Sequence, residues 1–214
     1  MKSVYLGVLA AVLLLSLPVQ AQRNNTTCGI AQGQPLSNAY GPWDFTNPGH
    51  SRRLPIVINA HFTGKVEQLI GGENGTLLGD IDYTLRAIPN YHRALNAIGK
   101  YYRLNPPTAE SGVPYYSADC YFKRAIYFQP ADIVSRMLYG MHLHLSGKLQ
   151  EAEKVYLTAV AMSSNYAELH YNLGLLYVDM KNLEKAAEHA KIAYGLQYPL
   201  KGLENKIVKA GGKL

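Results

Sequence analysis

Apolar residues recur at three- and four-residue spacing over most of the chain, the pattern of helices that each bury one face. It is clearest from Ile133 to Tyr194, where one unit is written twice. A single slip of the chain against itself carries Gly140 onto Gly174, Leu149 onto Leu183, Ala152 onto Ala186 and Ala159 onto Ala193. Each unit is a helix-like run, a short polar break (Ser146-Gly147-Lys148, then Lys181-Asn182) and a second helix-like run. Small residues at fixed points let two helices approach closely, with Leu149, Tyr156, Tyr177 and Leu183 filling the space around them.

Upstream the same pattern is stretched. Ala118, Phe122 and Ala125 precede Ala152, Tyr156 and Ala159 by that same interval. Gly99 precedes Gly140 by 41 rather than 34, so seven extra residues separate the two helices of this earlier unit. Its first helix runs from Tyr91 to Tyr102, with Ala94, Leu95, Ile98 and Tyr102 at helical spacing. Arg103 to Pro114, with Asn105-Pro106-Pro107 and Ser111-Gly112, cannot continue it, and helix resumes near Ser117 and ends at Pro130. Asp80 to Ala87 reads as another helix, closed by Pro89-Asn90. Thr63 is placed to cap a short one that Gly71-Gly72 ends. From Leu54 to Phe62, Ile56-Val57-Ile58 favours strand on propensity while Pro55 suits a first helical turn; with helices on every later side, helix is expected. Leu200 to Lys209, after Pro199, reads as a helix capping the last exposed face.

A repeat of about 34 residues with this placement of small side chains resembles the tetratricopeptide repeat, TPR. The resemblance implies an all-α fold: a short TPR-type α-solenoid of antiparallel helix pairs, with an extended N-terminal arm and a C-terminal capping helix. The expected division is a signal peptide at 1–21, an arm at 22–62, a degenerate helical pair at 63–90, a repeat with an inserted loop at 91–132, regular repeats at 133–166 and 167–199, and the cap and tail at 200–214. More loosely, Cys28-Gly29, Gly41-Pro42-Trp43-Asp44, His61-Phe62-Thr63, Asp82 to Arg86 and Cys120-Tyr121-Phe122 are together similar to a group of small exported proteobacterial TPR proteins. That likeness implies architecture and compartment only.

The N-terminus implies export. Lys2 supplies a positive charge, Val4 to Leu17 an apolar run, and Val19-Gln20-Ala21 a small-residue cleavage site. The run falls short of the roughly 20 residues that a bilayer span needs, and Pro18 breaks it. Asn25-Thr26-Thr27 before Cys28 is no lipobox. The expected product is exported, most simply to a bacterial periplasm, without stable membrane insertion. Two cysteines in an oxidising compartment then imply one disulfide, Cys28 to Cys120. Cys120 points about 200° away from Ala118 and Phe122, toward the outside of its helix pair. The bridge would strap the arm across the back of the first repeat. The arm has Trp43 and Phe45 as its large anchors and is expected to dock through Gly41 to Phe45.

Composition narrows the chemistry. Hydrophobic content of 48% and charged content of 17% exclude a disordered chain. Seventeen tyrosines against four phenylalanines suit a thin two-layer array, where rings are buried and hydroxyls stay wet. The net charge of +6 is scattered, apart from Lys201, Lys206, Lys209 and Lys213, and forms no stripe interleaved with aromatics, so nucleic acid is not an expected partner. Among seven histidines, His142 and His144 sit about 200° apart on one helix and cannot chelate together; no metal or other cofactor is expected. His142 reads as a packing residue and His144 as a groove residue. Asp80 and Asp82, near a helix start, suit capping and dipole roles. With no nucleophile–base constellation and no phosphate loop, the reading is a non-enzyme.

What the resemblance leaves is binding. First helices of stacked TPR units line a concave surface, which here takes Asn96, Lys100 and Arg103, then Met137, Met141 and His144, then Tyr171, Leu175 and Asp179. The order runs from basic through an adaptable apolar floor to a mixed patch. TPR domains that clamp a C-terminal carboxylate use Lys, Asn and Arg on successive first helices. This chain offers Asn96 and Lys100, then Leu138, then Glu168 and Asn172, and Glu168 would repel a carboxylate. The expected partner is a protein or peptide held in the groove by a scaffold or adaptor, with envelope transport or assembly as the setting. The alternative is a carrier or sensor whose tyrosines stack on a sugar or aromatic compound.

Overall fold

The computed structural model describes residues 27–106 and 115–214. The expected signal peptide, 1–21, lies outside them. Among the described residues there are ten α-helices and no strand: α1 Leu54–His61, α2 Gly64–Glu67, α3 Leu77–Ala87, α4 His92–Leu104, α5 Ala118–Phe128, α6 Ile133–Leu145, α7 Leu149–Met162, α8 Ala167–Asp179, α9 Leu183–Gly195 and α10 Gly202–Lys209. The ambiguous 54–62 segment is helical, with Pro55 in its first turn. From α4 onward the chain is a TPR-type solenoid of helix pairs, α4/α5, α6/α7 and α8/α9. Successive first helices touch, α4 to α6 and α6 to α8, and α10 packs on both α8 and α9.

Helix starts are marked by side-chain caps. The side chain of Thr76 accepts from Gly79 N–H, Ser117 from Cys120, Asp132 from Ser135 and Asn182 from Lys185. The breaks inside the two regular pairs close in one way. Gly147 N–H donates to His144 O and Lys148 N–H to Leu143 O; one repeat later, Lys181 donates to Val178 O and Asn182 to Tyr177 O. Both turns need a left-handed residue, supplied by Gly147 at φ 78° and by Lys181 at φ 61°.

The small residues set how closely the helices approach. A Cβ on Gly140 would stand 2.7 Å from the Tyr156 ring of α7. The corresponding contact in the first pair puts Phe122 3.4 Å from a Cβ on Gly99. In the last pair the position equivalent to Tyr156 is Ala190, and the atom over Gly174 belongs to Leu203 of α10, 2.5 Å from where a Cβ would be. The capping helix thus replaces the missing aromatic, and Leu203 is fully buried. A residue of leucine size is worth roughly 2–3 kcal/mol when fully buried.

The arm is held by polar groups more than by its tryptophan. Trp43 is half-buried, edge-on to Tyr40 and His50 with the Arg53 guanidinium 4.3 Å from its ring centre. Its backbone N–H donates to Ala87 O at 2.8 Å. Within the Gly41 to Phe45 segment the buried residue is Asp44. One of its carboxylate oxygens accepts from Thr46 and from Asn90 Nδ2 (2.7 Å), the other from Gln129 Nε2 (2.7 Å). Asn90, with no exposed surface, accepts from Phe45 N–H at 2.9 Å and reaches Asp132 at 3.3 Å. Asp132 also binds His92 and Ser135, each at 2.8 Å. One buried network therefore joins the arm, the α3–α4 turn, the end of α5 and the start of α6.

The strap is present. Cys28 and Cys120 are bridged across 92 residues, and both are buried. Arg124 Nη1 donates to Cys28 O at 3.1 Å, and the Tyr127 hydroxyl donates to Ala31 O and Gln34 O at 3.1 and 2.8 Å. Closing a loop of this length removes roughly 4.6 kcal/mol of unfolded-chain entropy in the chain-entropy treatment.

Two substitutions test these devices. Lys181→Gly relieves a left-handed backbone that costs a side-chain-bearing residue about 1–2 kcal/mol, partly offset by glycine's freedom in the unfolded chain. A melting-temperature rise of about 2–4 °C is expected, and a decrease would show that Lys181 is unstrained. Asn90→Ala leaves buried donors and acceptors unpaired and should cost about 2 kcal/mol in urea denaturation; a loss below about 0.5 kcal/mol would mean the network contributes little.

Candidate functional site

The nine positions expected on the first-helix surface divide into three groups. Asn96 and Lys100 are exposed on one face of α4, one helical turn apart, and carry the open polar part of the surface. Met141 and Leu175 are half-buried on α6 and α8. The remaining five are engaged within the protein.

Met137 and Tyr171 differ from expectation. Met137 is 3% exposed and belongs to the continuous core, because α6 is flanked by both α4 and α8 and turns this position inward. Tyr171 is 8% exposed: its ring lies 4.4 Å from that of Tyr198, and a Cβ on Gly202 would meet its hydroxyl at 2.7 Å. The link to α10 and the start of that helix cover it, and burial pushes its hydroxyl pKa up. The apolar floor is therefore narrower than two methionines and an open tyrosine.

His144 and Asp179 bond each other. Nε2 of the half-buried histidine is 2.8 Å from Oδ2 of the exposed carboxylate, tying α6 to α8. Arg103 is half-buried, with Nη1 3.4 Å from His142 Nδ1, and burial lowers the pKa of its guanidinium. His142 packs as expected, stacked on Phe122 at 5.1 Å, and its Nε2 also stands 3.4 Å from Asp119. Hydrogen bonding with His142, and with Lys148 at 2.8 Å, outweighs burial and holds the Asp119 carboxyl well below the usual range. Beside these groups a cavity of about 530 Å³ opens between the ends of α4 and α6 and the start of α5.

Other titratable groups serve the frame. Asp80 accepts from the backbone N–H groups of Glu73, Asn74 and Gly75 and binds His61 at 2.8 Å, so it organises the loop before α3. Asp82 accepts from the Tyr121 hydroxyl at 2.7 Å and from Arg86 Nε at 3.0 Å, joining α3 to α5. These are cross-links between elements, beyond the capping and dipole roles read from their position. Among the described residues no group of three His, Cys, Asp or Glu side chains is placed to hold a metal.

Sequence reasoning missed a buried histidine pair, because its members lie on different helices. His170 on α8 and His189 on α9 stack at 5.1 Å, with their Nδ1 atoms 2.9 Å apart. His170 Nε2 lies 3.0 Å from Ser164 O. A neutral assignment satisfies every contact: His170 donates from Nε2 to the carbonyl, and His189 donates from Nδ1 to the free Nδ1 of His170. Burial, with the neighbouring His170, lowers the pKa of His189 below 6.5.

One family model and two solved structures are similar to this chain. Residues 140–181 match the TPR repeat, spanning the C-terminal half of α6, all of α7 and α8, and the turn that follows. The helix pairs from α4 onward have the TPR-type arrangement, and the matched segment lies within them. The two similar structures are crystal structures of MamA. One is 22% identical, covering 63% of this chain and 82% of that one, with a TM-score of 0.42. The other is 20% identical, covering 75% and 89%, with a TM-score of 0.48. No curated protein sequence matches the chain.

The histidine pair makes a testable pH signature. A histidine whose folded pKa is depressed favours the folded state fully above its ordinary pKa of 6.5, and that contribution is lost as pH falls below it. The melting temperature should therefore fall from pH 7 to pH 5 by more in the native protein than in His189→Gln. Equal falls would mean that the pair does not resist protonation.

Proposed function

We propose that this protein is a non-catalytic, exported TPR scaffold that binds a protein or peptide through the surface of its first helices. The observation that carries the reading is the TPR match from Gly140 in α6 through α8, combined with the exposed Asn96 and Lys100 on α4. Further along that surface Asp179 is engaged by His144 at 2.8 Å, while Lys100 stands open and supplies directional attraction. Met141 and Leu175 beside it offer apolar contact. A partner segment with acidic and apolar residues in alternation fits this order. The Cys28–Cys120 bridge supports an oxidising compartment, and among the described residues no helix is long and apolar enough to cross a membrane. Periplasmic residence is the simplest setting.

The test is cross-linked recovery of partners from periplasm, repeated with Lys100→Glu. The charge reversal should weaken the recovered complex at least tenfold, about 1.4 kcal/mol, with an unchanged melting temperature because the side chain is exposed. An unaltered affinity removes the first-helix surface from the mechanism. Recovery of no protein, with a large thermal shift from one sugar or aromatic compound, favours the small-ligand carrier instead.

A further inference from the structure

A second concavity, of about 450 Å³, lies between the second helices α5 and α7 and the disulfide-tethered arm. Its apolar wall is Ile126 and Tyr127 from α5, Tyr139 from α6, Val155 from α7 and Ile30 from the arm. The charged groups lining it are all cations, Lys123, Arg136 and Lys154, with no carboxylate among them. Lys123 and Lys154 are exposed and form no ion pair among the described residues; Arg136 spends Nε and one terminal nitrogen on Pro130 O. Glu153, next to Lys154 in sequence, instead accepts from the Tyr177 hydroxyl at 2.8 Å and stands 3.4 Å from Lys185 Nζ, and neither it nor Glu151 is part of the lining.

This site is separate from the first-helix surface. Tyr139 is about 200° around α6 from Met141, so the two surfaces use opposite faces of one helix. Its size falls within the range of small-molecule sites, about 300–1,000 Å³.

We propose that this concavity binds a small anionic amphiphile, a single-chain acid whose tail lies on the apolar wall and whose carboxylate meets Lys123, Lys154 and Arg136. The polar inventory decides between this ligand and a peptide. The α5 and α7 walls are helices whose backbone groups are paired internally. The Tyr127 hydroxyl donates to Ala31 O and Gln34 O, and the Thr158 hydroxyl to Lys154 O at 2.9 Å. A peptide backbone laid here would lose water from N–H groups that find few acceptors, and burying such groups unpaired is costly. A hydrocarbon tail carries no such groups. Three cations gathered on an apolar wall without an acid repel one another until an anion arrives. The arm completes the wall: Ile30 is two residues beyond Cys28, so the disulfide fixes its position.

The experiment is calorimetric titration of the oxidised, exported protein with dodecanoate below its micellar concentration. Dodecyltrimethylammonium, a neutral dodecyl maltoside and a short peptide ending in leucine are run in parallel. One-to-one binding of dodecanoate is expected, weakened at least tenfold by the pair Lys123→Glu and Lys154→Glu at unchanged melting temperature. Weaker binding is also expected of Cys28→Ser/Cys120→Ser, checked by circular dichroism to be folded. Equal binding of the cationic or neutral amphiphile, preference for the peptide, or indifference of dodecanoate to the two lysine reversals would overturn the proposal. Because Lys100 is untouched, the partner experiment above reads out independently.

Discussion

The architecture depends on the close contact of a small residue on each first helix with a bulky group packed over it. Gly99 lies under Phe122, Gly140 under Tyr156 and Gly174 under Leu203. Protein interiors leave little void, so this distance decides the pitch of each helix pair. It also explains why the last pair needs α10. With alanine at 190 there is no ring to cover Gly174, and Leu203 comes from the next element to do it. The same element turns Tyr171 inward. Capping the solenoid and reducing the open first-helix surface are thus one packing event.

At the other end the chain uses polar rather than apolar closure. Asp44, Asn90, Gln129 and Asp132 form a network in which Asn90 is wholly buried. Burial alone would raise the pKa values of the Asp44 and Asp132 carboxyls. Hydrogen bonds, from Thr46, Asn90 and Gln129 to Asp44 and from His92 and Ser135 to Asp132, outweigh it and hold both below their ordinary value. Both stay ionised at neutral pH, and their contribution to stability is lost as pH falls below the ordinary carboxylate value of 3.8. Directional bonds specify how the arm enters. The disulfide limits how far it can leave.

The two ends leave different surfaces. The first helices carry an open amide and cation on α4, then groups bonded to each other. The second helices, with the arm, frame an apolar wall edged by unpaired cations. A protein segment and an acidic amphiphile make unlike demands on hydrogen bonding, and the two surfaces differ in that respect.

The sequence by itself determined the helices, the repeated unit and the bridge. Helical periodicity is local, the polar breaks Ser146-Gly147-Lys148 and Lys181-Asn182 mark where each pair turns, and two cysteines permit one pairing; that Lys181 is left-handed like Gly147 came only from the structure. The sequence also placed Asn96 and Lys100 among nine positions of the first-helix surface, and both are exposed on α4 among the described residues. The tertiary structure alone decided that Met137 is core, that Tyr171 lies beneath Tyr198 and α10, that His144 meets Asp179, and that His170 meets His189. Each of those outcomes depends on which neighbour packs against a helix face, and spacing along one helix carries no record of the neighbour. Asn90 shows the limit most clearly: as half of Pro89-Asn90 it reads as a helix stop, and it becomes the centre of a buried network only when the arm, α5 and α6 arrive around it.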